Sequence, residues 1–203
     1  MIAIIISGLL WGNEPLSTAQ MNVSGALTTV EALGGVQERG IEQGLTGEHL
    51  RIACRDVEED LVLCLRNEDM ESRWWLSNAE LAELGLSFED AVLSMSPRAE
   101  AVELESRTVH EGSGRYWLAT HSDGGAESIL FRPELLSIVG ARPAVAVPER
   151  GVLVVWNRGD AELDRIMAVG VRQMYENSDQ PVSSKVLALV DSWWRVWLQA
   201  DEN

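Results

Sequence analysis

His121-Ser122-Asp123 sets the three residue types of a nucleophilic relay side by side. Neighbours on a turn do not build that relay, because the serine and the aspartate must approach different sides of the imidazole. The chain has no G-x-S-x-G elbow, no P-loop and no GxGxxG, and Gly112-Ser113-Gly114 reads as a turn. His49, His110 and His121 form no H-x-x-x-H or H-E-x-x-H pair, so a zinc helix is not indicated. Cys54 and Cys64 lack C-x-x-C spacing, which argues against a zinc ribbon or a thioredoxin-type motif. The acidic run DVEED lacks the Asp-x-Asp-x-Asp-Gly calcium pattern and reads as a solvated hairpin tip. Carboxylate groups such as Glu58-Glu59-Asp60 or Glu103/Glu105 say little in a chain with 32 acidic residues. Glycosidase chemistry would need two of them across a cleft. The sequence therefore nominates no catalytic residue, no metal ligand and no cofactor.

The cysteines carry a different chemistry. Leu50–Arg55 and Leu61–Arg66 mix β-formers with polar residues around the acidic run, which predicts a hairpin. With its turn near Glu59, Cys54 faces Cys64. Directly opposed non-hydrogen-bonded positions bring Cβ atoms close enough for a disulfide. The alternative is two reduced cysteines acting as small apolar residues. An oxidising compartment favours the bond and the cytosol favours the thiols.

Tryptophan is the unusual residue: eight are present among twelve aromatics, with doublets at Trp74-Trp75 and Trp193-Trp194. Neighbours on a strand point to opposite faces, so one member of each doublet is a core residue and the other is free for a surface. Tryptophan and arginine are favoured at binding hot spots. Trp75, Trp194, Arg195 and Trp197 are accordingly the candidate partner surface; core packing and edge covering are the alternative for each.

Compartment rests on the opening, MIAIIISGLLWGNEPLSTAQ. Its apolar run is too short to span a bilayer as a helix. It fits the apolar region of a signal peptide, with Ser17 and Ala19 at the small positions before a cut that leaves Gln20 first. No Lys or Arg precedes Arg39, so the usual basic start is missing. A buried first strand over Ile2–Ile6 and an uncleaved anchor are the alternatives. The expectation is residues 1–19 as a signal peptide and 20–203 as one domain, periplasmic or secreted, with the cytoplasm as the alternative.

Net charge is −16, from 32 acidic against 16 basic residues, and no dense basic cluster occurs. That argues against nucleic acid and against an anionic membrane surface. It suits solubility or the attraction of basic partners. Lys185 is the sole lysine.

The elements that would position these residues read as follows. Thr28–Leu33 and Val36–Ile41 are short helical pieces separated by Gly34-Gly35. Arg73–Leu76 is a third strand after the hairpin. Ser77 or Asn78 caps a helix ending at Gly85, and Ser87 caps the next, which Pro97 limits. Ala101–Val109, Tyr116–Thr120 and Glu127–Phe131 are strands, the last two joined through Asp123-Gly124. A short helix starts at Pro133, and strands cover Ala144–Val147 and Val152–Trp156. Asp160–Tyr175 carries a stripe of period 3.6 through Leu163, Ile166, Met167 and Met174. The tail is a hairpin turning near Asp191-Ser192, or else a helix with Trp193 and Trp197 on one face. The predicted class is α+β: an antiparallel sheet built from hairpins, with a few helices packed on one side.

From about Leu50 to residue 190 the order of pieces resembles the YtpQ-like family of uncharacterised bacterial proteins. The segments concerned are EDLVLCLRNEDMESRWWLSNAELAELGLSFEDAV, YWLATHSDGG, PAVAVPERGVLVVW, DAELDRIMAVGV and NSDQPVSS. The resemblance implies a mixed fold with an antiparallel sheet and brings no catalytic residues with it. The functional expectation is an exported, non-enzymatic binding or interaction domain with an unknown protein or small-ligand partner. The alternatives are a hydrolase-type enzyme with a site assembled from distant residues, and an acidic neutraliser of a basic protein.

Overall fold

A computed structural model describes residues 23–58, 60–68, 73–94, 99–109, 114–120 and 125–198. The leader, His110 and His121-Ser122-Asp123 lie outside the described residues. The chain runs β1 (Val23–Thr29), α1 (Val30–Glu42), β2 (Cys54–Glu58), β3 (Leu61–Glu68), β4 (Arg73–Trp75), α2 (Asn78–Glu83) and α3 (Phe88–Ser94). It continues through β5 (Glu105–Thr108), β6 (Arg115–Thr120), β7 (Pro143–Ala146), β8 (Val152–Asn157), α4 (Ala161–Asn177), β9 (Val186–Val190) and β10 (Trp193–Leu198). Short 3₁₀ segments occupy Gly47–Leu50, Gly125–Phe131 and Pro133–Ile138.

The fold is α+β with two antiparallel sheets. In the first, β3 lies between β1 and β2, and β4 pairs with the far end of β3. The second has the order β10-β9-β7-β8-β6-β5. The period-2 pattern of β3 sets the layering. Leu61, Leu63 and Leu65 turn to a core shared with Val145, Val147, Leu153, Val155 and Leu187 of the second sheet. Val62 and Cys64 turn the other way, toward Leu33 of α1. The second sheet repeats the scheme: Val154, Trp156 and Val186 face Leu163, Met167 and Val171 of α4. Each sheet therefore carries its long helix on one face only, the face turned away from its partner sheet.

Local chemistry explains most boundaries. Ser77 and Glu80 form a reciprocal capping box at the start of α2. Asp160 accepts from Glu162 N and Leu163 N at the start of α4. Asp191 and Ser192 both have positive φ (48° and 67°), the two-residue hairpin turn whose twist matches its strands. The tail is thus a hairpin. Cys54 pairs with Cys64 across β2 and β3, and the two are joined in a disulfide.

Three sequence expectations are corrected. Val23–Thr29 is a strand, and one helix runs through Gly34-Gly35. Thr29 caps that helix by accepting from Ala32 N, and two glycines cost about 1 kcal/mol each without breaking it. Gly125–Phe131 is a buried 3₁₀ segment, not a strand. It meets β1 with side chains instead of a backbone ladder: Ser128 Oγ accepts from Gly25 N at 2.9 Å and Glu127 Oε2 from Leu27 N at 2.7 Å. Gly25 permits the approach, since a Cβ there would sit 2.5 Å from the Phe131 ring. The strand expected over Ala101–Val109 shortens to Glu105–Thr108, with Val102 and Leu104 packed on the core outside the ladder.

Trp194 is wholly buried, and its indole Nε1 donates to Leu130 O at 2.6 Å. Trp194→Ala should cost about 3–5 kcal/mol of stability, the usual range for a buried aromatic, measured as a lower urea midpoint. A loss below about 1 kcal/mol would place the ring at the surface.

Candidate functional site

The four residues expected to form a partner surface do not lie together. Trp194 belongs to the shared core, because the alternation of β10 turns it toward Leu130. Arg195 is exposed, and its guanidinium reaches Val57 O at 3.4 Å, joining β10 to β2. Trp197 is half-buried against the α4 cluster, at the register shift between Val196 and Leu198, with the Arg158 guanidinium 5.4 Å from its ring. Trp75 lies across the molecule on β4, half-buried beside Cys54 and Ile52. Of the four, Trp75 lines the cavity between α1 and the first sheet.

That cavity, of about 450 Å³, sits between α1 and the outer face of the first sheet. Its sheet wall is Ala26, Thr28, Arg66, Ile52 and Trp75. Its helix wall is Ala32, Val36, Gln37, Arg39, Gly40 and Gln43. The lining also includes Leu45, His49 and Leu50 of the loop and 3₁₀ segment, and Glu127, Arg150, Gln180 and Val182. The space follows from side-chain size. Leu33 is the large residue of α1 buried against Val62 and Cys64, whereas Ala26 and Ala32 bring only methyl groups to the lining. The cavity reaches solvent past the exposed Gln37, Arg39, Gln43 and His49.

Several contacts hold these segments in place. Gln37 donates to Leu50 O at 3.0 Å, tying α1 to the Gly47–Leu50 segment. A Cβ on Gly40 would lie 2.9 Å from Leu50 Cδ2 and 3.3 Å from Leu45 Cδ1, so these leucines press on the helix where it has no side chain. Elsewhere in the lining Arg150 N donates to Gln180 O at 3.1 Å and Val182 N to Pro148 O at 3.0 Å.

Glu127 governs the electrostatics. It is 1% exposed, and its two oxygens accept from Leu27 N of β1 and from Gly151 N of the β7–β8 turn at 2.7 and 2.9 Å. Burial pushes its carboxyl up to about 7, against the pull of those two N–H groups and the charges of Arg66 and Arg150. Arg66, 3% exposed, holds its guanidinium 5.3 Å from the Trp75 ring. Glu80, the other acid on the wall, keeps its carboxylate on Ser77 N and Oγ at 2.7 and 2.8 Å. The lining thus gathers Arg39, Arg66 and Arg150 in a chain whose net charge is −16. Among the described residues no group of three or more His, Cys, Asp or Glu is placed to hold a metal ion.

Sequence reasoning did not find Glu127, Arg66 or Arg150. A signal existed for the first two: each is a charge within or ending an apolar run, GGAESILF and LVLCLR. Buried charges of that kind need partners and mark places where the fold is specific.

No family model matches the chain, and no match was found among curated proteins or solved structures.

The Glu127 carboxyl makes stability depend on pH with a definite sign. Its folded-state value lies above the ordinary 4.5, so the folded chain binds the proton more tightly than the unfolded chain. Its contribution is complete below about pH 4.5 and is lost as pH rises through 7. Wild type should lose roughly 3 kcal/mol relative to Glu127→Gln between pH 4.5 and 8, compared by urea unfolding. A carboxyl carbon resonance of Glu127 titrating near 4 in the intact protein would contradict this.

Proposed function

We propose that this chain is an exported binding domain without a catalytic role, and that its ligand is a small molecule held between α1 and the first sheet. The cavity is the observation that carries the reading. About 450 Å³ lies in the range of small-molecule sites, and apolar walls with a few convergent polar groups are their usual make-up. Export is supported by the Cys54–Cys64 disulfide, a bond that persists in oxidising compartments. Among the described residues no helix is long and apolar enough to cross a membrane. Kinship with the YtpQ-like family is part of this proposal and rests on sequence pattern alone.

The neutral apolar dye N-phenyl-1-naphthylamine tests the site. It should bind saturably with one dye per chain, and Val36→Trp, which fills the helix wall, should abolish binding while the circular dichroism stays unchanged. Failure of the dye to bind wild type, or equal binding by the folded Val36→Trp variant, would overturn the reading. Export is tested by intact mass. Protein from its native host should begin at Gln20 and take up alkylating reagent at two cysteines only after reduction. A chain beginning at Met1 with free thiols would place it elsewhere.

A further inference from the structure

The cavity lining has two unlike parts. Glu127, Arg66 and Arg150 all belong to it, and the charges of both guanidinium groups act on the Glu127 carboxyl. The apolar part is supplied by Leu45, Leu50 and Ile52, with Val36 of α1. A guanidinium pairs with a carboxylate through parallel N–H donors, a geometry that lysine lacks. We infer that the cavity takes an amphiphilic monoanion, a single apolar body with one carboxylate, lodging the carboxylate at Arg66 and Arg150 and the body along Val36, Leu45, Leu50 and Ile52.

This inference rests on the reading that the cavity is a ligand site. Three observations support the choice of charge and size. First, Arg66 is buried on the cavity wall of a chain that elsewhere repels anions, so the local sign is opposite to the global one. Second, the one buried acid beside Arg66 and Arg150 already accepts two backbone N–H bonds, and with its carboxyl at about 7 a neighbouring anion would favour its uptake of a proton. Third, at roughly 30 Å³ per water-sized group, about 450 Å³ admits a body of about fifteen non-hydrogen atoms. A twelve-carbon chain with its carboxylate is of that size. The Trp75 ring, with the Arg66 guanidinium over it at 5.3 Å, adds an apolar face beside that charge.

The test is displacement of N-phenyl-1-naphthylamine by three twelve-carbon probes below their aggregation concentrations: dodecanoate, dodecanol and dodecyltrimethylammonium. Dodecanoate should displace the dye at least tenfold more tightly than either of the others. Arg66→Met should reduce its preference over dodecanol to within about twofold. Because Arg66 is buried, Arg150→Gln, at an exposed position, is measured in parallel and should reduce the preference at least threefold. Equal affinities for dodecanoate and dodecanol in wild type would overturn the inference. So would a preference unchanged in both folded variants, and so would tighter binding of the cation. In each case dye binding by wild type leaves the cavity standing as a site, whereas loss of dye binding itself removes the site and the inference together.

Discussion

The Glu127 carboxyl is the point on which the two sheets depend. One oxygen accepts a backbone N–H from β1 of the first sheet, and the other accepts one from the β7–β8 turn of the second. A buried N–H without an acceptor costs about 1–3 kcal/mol, and β1 would present Gly25 and Leu27 in that state along its free edge. A neighbouring strand would be the ordinary remedy. Here the Gly125–Phe131 segment supplies two side-chain acceptors, with Ser128 next to Glu127. The segment then sinks Ile129, Leu130 and Phe131 into the shared core. Leu130 in turn offers its carbonyl to Trp194, so a single 3₁₀ segment reaches both sheets.

Around that centre the sheets are joined at their edges. Trp193 donates to Asp56 O at 2.7 Å, and Arg55 stacks between Phe88 and the Trp193 ring. The surplus of tryptophan therefore acts mostly within the molecule. Trp156 lies under α4 and donates to Asp164 at 2.8 Å, and Trp194 fills the space between the sheets. Each indole combines a large apolar area with one donor, and each of these three finds an acceptor. A chain with only two phenylalanines and two tyrosines places its aromatic bulk where a donor is also needed.

What could be read from the sequence was what is decided locally. The alternation of β3, the acidic start of α4, the serine caps and the facing cysteines all follow from residues within a few positions of one another. The strand β1 was not legible, because its edge is completed by side chains about a hundred positions later. The 3₁₀ segment looked like a strand for the same reason: its apolar content is right for either, and only the partner decides. The cavity was the least legible feature. Its lining includes the small residues Ala26 on the sheet and Ala32 and Gly40 on the helix, and small residues send no signal until their neighbours are known. Trp75 was singled out as a surface residue and proves to be part of a wall.

Lys185 offers a consequence of another kind. Its ammonium pairs with Asp60, tying the tip of the β2–β3 hairpin to the chain just ahead of β9. It is also the only side chain in the protein with a primary amine. A reagent that acylates ε-amines thus has a single side-chain target, and that target sits on the seam between the sheets. Its rate of modification would report the release of that one ion pair, a single-site signal that a lysine-rich protein of this size does not have.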